Sequence, residues 1–152
     1  MAKVNVSGDL SLSPTQAWAA CSDLSRFGDW LTIHEIWRSP LPAPDEIGTG
    51  TKLSSIIKAK GTRVRFEWTI SEYRPPADDS SSGAVTLKGE GKGGVKTDVT
   101  LSVKPAKSGS TVGIEANLGG LPLIGLAGKA AAKVIKGDLE KSLANIKRVF
   151  DS

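Results

Sequence analysis

The chain has 152 residues, with 20 lysines and arginines against 16 aspartates and glutamates, for a formal charge of +4. One cysteine, Cys21, and one histidine, His34, supply neither an intrachain disulfide nor a Cys/His zinc set. Any nucleophile–histidine device must therefore use His34, and no G-x-S-x-G elbow accompanies it.

Length points to one domain, residues 1–152, which can bury roughly two-thirds of its unfolded surface without a metal or crosslink. The opening "MAKVNVSGDL" does not have the pattern of a secretory leader, and Lys129 and Lys133 interrupt the most apolar segment well short of a membrane span. The cytoplasm is the simplest compartment. The modest positive charge permits an anionic partner and requires none.

In chain order, "KVNVSGDLSLS" alternates Val4, Val6, Gly8, Leu10 and Leu12 against polar residues, a half-buried strand. "SPTQAWAACSDL" opens a helix, with Ser13 at the N-cap, Pro14 in the first helical position and Gln16 closing a capping box. Ala17, Trp18, Cys21 and Leu24 share its apolar face, where Cys21 serves as a small apolar residue. A second short helix runs from Leu24 to Trp30, weakened by Gly28. "HEIWRS" is a short strand that period two divides into His34, Ile36 and Arg38 on one side and Glu35, Trp37 and Ser39 on the other. Burying Arg38 without a partner is costly, so Trp37 points inward and His34 lies near a rim.

After the loop "PLPAPDEIGTG", five further strands follow: "TKLSSIIKAK", "TRVRFEWTISEY", "AVTLKGEG", "VKTDVTLSVK" and "TVGIEANL". Turns fall at Gly61, at Lys92–Gly94 and at Ala106–Ser110, with a longer loop at "PPADDSSSG". Strands in succession without intervening helices make an antiparallel meander. Ile124, Gly128, Ala131, Ile135, Leu139, Leu143, Ile146 and Phe150 then recur every three or four residues, one apolar stripe of a long helix from Leu123 to Phe150. A seven-stranded sheet cannot leave its apolar face wet, so it curls around that helix while the two short helices plug one end. The fold is α+β, a helix-grip architecture. Small residues on the helix stripe leave room for a cavity.

Several stretches together resemble the START-like, polyketide cyclase/dehydrase (SRPBCC) superfamily. They are Ser13-Pro14 with Ala17-Trp18, "WLTIH" (Trp30 to His34) with Trp37-Arg38, and "WTI" (Trp68 to Ile70). "YRPP" (Tyr73 to Pro76), "LKGEGKGGVK" (Leu87 to Lys96) and "LGG" (Leu118 to Gly120) complete the set. The likeness runs essentially the full length and is narrower still to actinobacterial members labelled as the toxin component of a type II toxin–antitoxin pair. It implies a hydrophobic-ligand cavity and no single reaction, because the superfamily spans carriers, cyclases and interaction modules.

"GEGKGGVK" is no phosphate loop, because a strand rather than a helix follows it. Its glycines suit a tight turn or a backbone passing close under the long helix. Lys129, Lys133, Lys136, Glu140 and Lys147 form a solvated helix stripe. Arg63, Arg65, Lys88, Lys92 and Lys96 add charge to the sheet without the interleaved aromatics of a single-strand-binding platform. Nucleic acid or the ribosome is accordingly a lesser reading.

The leading expectation is a binding protein for a small apolar or amphipathic molecule, growth-regulating in one version. Its walls would be Trp37, Val64, Phe66, Trp68, Ile70, Leu87, Val99, Ile114, Ile124, Ala127, Ala131 and Ile135, with neither metal nor cofactor. The competing readings are a cyclase or dehydratase using His34 and Glu72 for proton transfer, and a toxin-like module with an antitoxin partner. A convergent set of catalytic side chains is not evident, so the enzyme ranks behind the binding protein.

Overall fold

The computed structural model describes residues 2–59, 61–120 and 126–151. Strand β1 (Ala2–Leu10) is followed by α1 (Pro14–Cys21), a 3-10 turn (Leu24–Arg26) and α2 (Phe27–Trp30). Strands β2 (His34–Trp37), β3 (Lys52–Ala59), β4 (Thr62–Arg74), β5 (Gly83–Gly91), β6 (Val95–Ala106) and β7 (Gly109–Gly119) come next, and α3 (Leu126–Phe150) ends the chain. All seven strands form one antiparallel sheet in the order β1-β7-β6-β5-β4-β3-β2. The sheet curls around α3, and the expected helix-grip α+β architecture is the one observed.

Local chemistry explains the frame. Ser13 accepts from the backbone N–H of Gln16, whose side chain in turn accepts from the Ser13 N–H. That capping box and Pro14 start α1, and Asp79 in the β4–β5 loop adds a second cap by accepting from Thr15. The inner face of the sheet carries Val4, Val6 and Leu10 of β1, Phe66, Trp68 and Ile70 of β4, and Val112, Ile114 and Ala116 of β7, all buried. A bulge between Ile70 and Glu72 restores Tyr73 to that face, where it meets Trp18 edge-on at 5.8 Å.

Two features of the frame differ from the sequence reading. The second helix is a 3-10 turn that passes into a single turn of α-helix, held by Asp23 accepting from the Ser25 N–H. The glycines of "GEGKGG" make room for aromatic rings, not for α3. A Cβ on Gly89 would lie 2.5 Å from the Trp68 ring, and one on Gly91 would lie 2.9 Å from the Phe66 ring. Gly89 faces Trp68 and Gly91 faces Phe66 across the β4–β5 ladder, so each ring lies over a bare stretch of backbone. Gly93 and Gly94 form the following turn at φ 85° and 88°.

The apolar stripe on α3 is the expected one, with Gly128, Leu139 and Ile146 buried and Ala131, Ile135, Leu143 and Phe150 partly so. Its C-terminal half is tied down by side chains. Ser142 accepts from the Thr32 N–H, Asn145 donates to the Trp30 carbonyl, and Asp151 accepts from the N–H and hydroxyl of Ser11. Arg26 sits 4.8 Å over the Phe150 ring. The N-terminal half exposes Ala127, Lys129, Ala130 and Lys133. The expected first turn from Leu123, with Ile124, lies outside the described residues. No helix among the described residues is long and apolar enough to cross a membrane.

Candidate functional site: an apolar cavity under the long helix

The concave face of β3–β7 and the middle of α3 do not fill the space between them. Two adjoining cavities remain, of about 40 and about 70 Å³. Ile33, Ile57, Trp68, Val99 and Leu139 wall both of them. The smaller cavity extends to the mouth through Phe27, Leu31, His34, Trp37, Ser55 and Leu87. The larger runs inward past Phe66, Val95, Thr97, Ala116, Leu118 and Ile135.

The mouth is an aromatic cluster. Period two separates His34 from Trp37, but β2 is bulged between His34 and Ile36. His34 pairs with Ile57 and Trp37 with Ser55, so both side chains reach the inner face and their rings lie 4.7 Å apart. Ile36 is left 47% exposed, and Glu35 turns out to bind Arg63 at 2.5 Å. Phe27 stands perpendicular to His34 at 6.1 Å and tilted against Trp37 at 5.7 Å. The Trp37 indole N–H donates to the Leu24 carbonyl at 2.7 Å, which fixes the ring at the rim.

Polar groups on the cavity walls are few. Trp68 donates its indole N–H to the Ser55 hydroxyl at 2.8 Å, and both residues are buried. His34 is half-buried, and burial pushes its pKa below the usual 6.5, so the neutral imidazole is the stable form near neutral pH. No hydrogen bond links its ring to another described residue; aromatic contacts hold it instead of the hydrogen bond expected of a structural histidine. Cys21, the last residue of α1, faces the core, where burial raises its thiol pKa to about 12 and keeps the thiol protonated near neutral pH.

Of the residues expected on the walls, Trp37, Phe66, Trp68, Leu87, Val99 and Ile135 are there. Val64 packs against the core beside Phe66 without reaching either cavity, and Ile70 and Ile114 are fully buried core. Ala131 is half-buried outside the walls. Ala127 is solvent-exposed, so α3 turns it away from the sheet, and Ile124 lies outside the described residues. Glu72 is on the convex face, 3.8 Å from Arg74 and within reach of Thr86. It is thus on the opposite side of the sheet from His34, and the expected proton-transfer pair is not assembled. No group of metal-ligating side chains occurs among the described residues.

The wall residues that sequence reasoning missed have identifiable causes. Leu139 was legible on the α3 stripe, one helical turn beyond Ile135. Ser55 and Ile57 were obscured because "SSII" breaks the polar–apolar alternation of β3. Leu31 and Ile33 belong to an irregular segment with no period to read.

A curled antiparallel sheet gripping a C-terminal helix, with an apolar hollow between them, defines the helix-grip class. The family described as "Polyketide cyclase / dehydrase and lipid transport" matches residues 1–151, and the chain belongs to it. Among its relatives in Mycobacterium tuberculosis are the protein named Uncharacterized protein Rv1546, 43% identical over 150 residues, and Toxin Rv0910, 41% identical over 150 residues. Each match covers 99% of both chains. Among solved structures, a START superfamily protein from Mycobacterium smegmatis superposes with a TM-score of 0.74 at 14% identity, over 97% of this chain and 96% of that one. The protein TTHA0849 from Thermus thermophilus gives 0.73 at 18% identity, over 97% and 95%.

Proposed function

We propose that the chain binds a compact, largely apolar molecule between the sheet and α3, acting in the cytoplasm. The observation that carries this reading is the pair of adjoining cavities, walled almost wholly by apolar side chains and opening past the His34–Trp37–Phe27 cluster. The family description, with its mention of lipid transport, favours the same reading. Size decides which guest comes first. A cavity of ~150 Å³ holds a benzene ring, whereas drug-sized ligands need ~300–1,000 Å³. With about 40 and 70 Å³ available, a single small ring fits after modest relaxation. A longer amphipathic guest must displace Trp37 or lift the exposed N-terminal half of α3, whose C-terminal half is anchored by Ser142, Asn145 and Asp151.

The test is titration with benzene or a similar apolar probe, comparing the wild-type chain with Val99→Phe. Val99 walls both cavities, so the larger side chain should fill them and weaken binding tenfold or more while the fold persists. Undiminished binding by a folded Val99→Phe protein overturns the reading.

A second reading is a growth-regulating, toxin-like module with an antitoxin partner, and one observation favours it: the 41% identity to the protein named Toxin Rv0910. Controlled expression in a mycobacterial host should then slow growth. Normal growth at high soluble expression, with no candidate antitoxin in the host to mask the effect, removes this reading and leaves the first untouched.

A further inference from the structure

The sheet has two free edges, and they are built differently. β2, at one end, is four residues long and bulged, which spoils it as a template for another strand. β1, at the other end, runs nine residues from Ala2 to Leu10 in unbroken register with β7, free of proline and of bulges. Natural sheets blunt such an edge with a short strand, a proline, a bulge or charged side chains, and of these β1 has only its charges, Lys3 and Asp9. α3 packs along the inner face of β1, with Leu143 against Gly8, and leaves its outer edge open. A groove of about 480 Å³ runs along Asn5–Leu10 beneath Lys136, Glu140 and Lys147 of the helix.

The exposed residues of β1 suggest what pairs there. On the convex face they are Lys3, Asn5, Ser7 and Asp9, in that order. An antiparallel copy centred on Val6 sets Lys3 opposite Asp9, Asn5 opposite Ser7, and Val6 opposite its own equivalent. Two-fold symmetry repeats each contact, giving two opposite-charge cross-strand pairs. Register is specified as well. A shift to a centre at Asn5 or Ser7 removes both Lys3–Asp9 pairs, and an odd shift puts inner residues outside. Neither charge is committed elsewhere by more than a surface contact. Lys3 reaches Glu115 at 2.9 Å with 61% of its side chain exposed, and Asp9 accepts from Thr111 at 2.7 Å.

We propose that β1 is a self-association edge, on which a second copy of this chain docks antiparallel about Val6 to make a continuous fourteen-stranded sheet. No residue of β1 walls either cavity, so substitutions at Lys3 and Asp9 leave the cavity linings unchanged.

Charge reversal tests the register directly. Asp9→Lys presents two lysines to its own copy, and Lys3→Glu presents two acids, so each variant alone should self-associate about tenfold or more weakly than wild type by sedimentation. An equimolar mixture of the two restores both opposite-charge pairs and should form a heterodimer at wild-type strength, weakened by salt. Heterodimer recovery also shows that the variants fold. A wild-type chain that stays monomeric at high micromolar concentration overturns the proposal, as does a mixture no tighter than its components.

Discussion

Gly89 and His34 illustrate how single residues shape the cavity. Gly89 has no side chain, and that absence lets the Trp68 ring lie against the β5 backbone at a distance no Cβ would permit. The ring, pinned by its hydrogen bond to Ser55, becomes a flat wall shared by both cavities. The glycine-rich run was visible in the sequence, but its cause was not, because a cross-strand partner cannot be read from local spacing. His34 is the one titratable group among the described residues that line the mouth. Burial lowers its pKa from 6.5, so on acidification the unfolded chain takes up a proton before the folded one does. Stability from this group is complete above about pH 6.5 and declines as pH falls from there toward the lowered folded value. Urea midpoints measured from about pH 8 to about pH 5 should show this decline in wild type and a smaller one in His34→Gln. An identical pH profile for the two proteins contradicts the assignment. An apolar guest in the mouth disfavours the imidazolium further, so binding should weaken as pH falls through the lowered folded value, below the window in which stability declines.

Elements differ in how fully the sequence specified them. α1 was legible to the residue because Ser13, Pro14 and Gln16 form a local signal, and the structure contains both hydrogen bonds of the box. Ser13→Ala should therefore cost about 0.5–2 kcal/mol in urea unfolding without altering ligand affinity, since α1 packs away from the cavity mouth. A change in affinity equal to that in stability would mean that α1 and the mouth are coupled. β2 was legible as a strand with Trp37 inward and His34 near the rim, but the bulge that moves both to the same face was not, because alternation assumes none. On α3 the stripe was clear, yet Ala127 and Ala131, expected as walls, are not part of them. In a helix with so many small residues, composition alone does not fix which of them meet the sheet.

The whole molecule follows from one constraint: a seven-stranded sheet with an apolar face needs a cover, and the chain supplies a single long amphipathic helix. Strand count, meander order and the helix stripe made that architecture readable from sequence. The cavity's existence was readable too, but not its size. Volume depends on how closely Phe66, Trp68, Ile135 and Leu139 approach one another, a matter of ångströms that periodicity does not encode. The central claim is that this hollow is a binding site for a compact apolar guest. Its most direct test follows the Trp37 and Trp68 indole N–H resonances by NMR during addition of benzene, in wild type and in Val99→Phe. The account predicts saturable shifts of both resonances in wild type and none in the filled variant. Resonances that do not move in wild type, or that move equally in Val99→Phe, would contradict it.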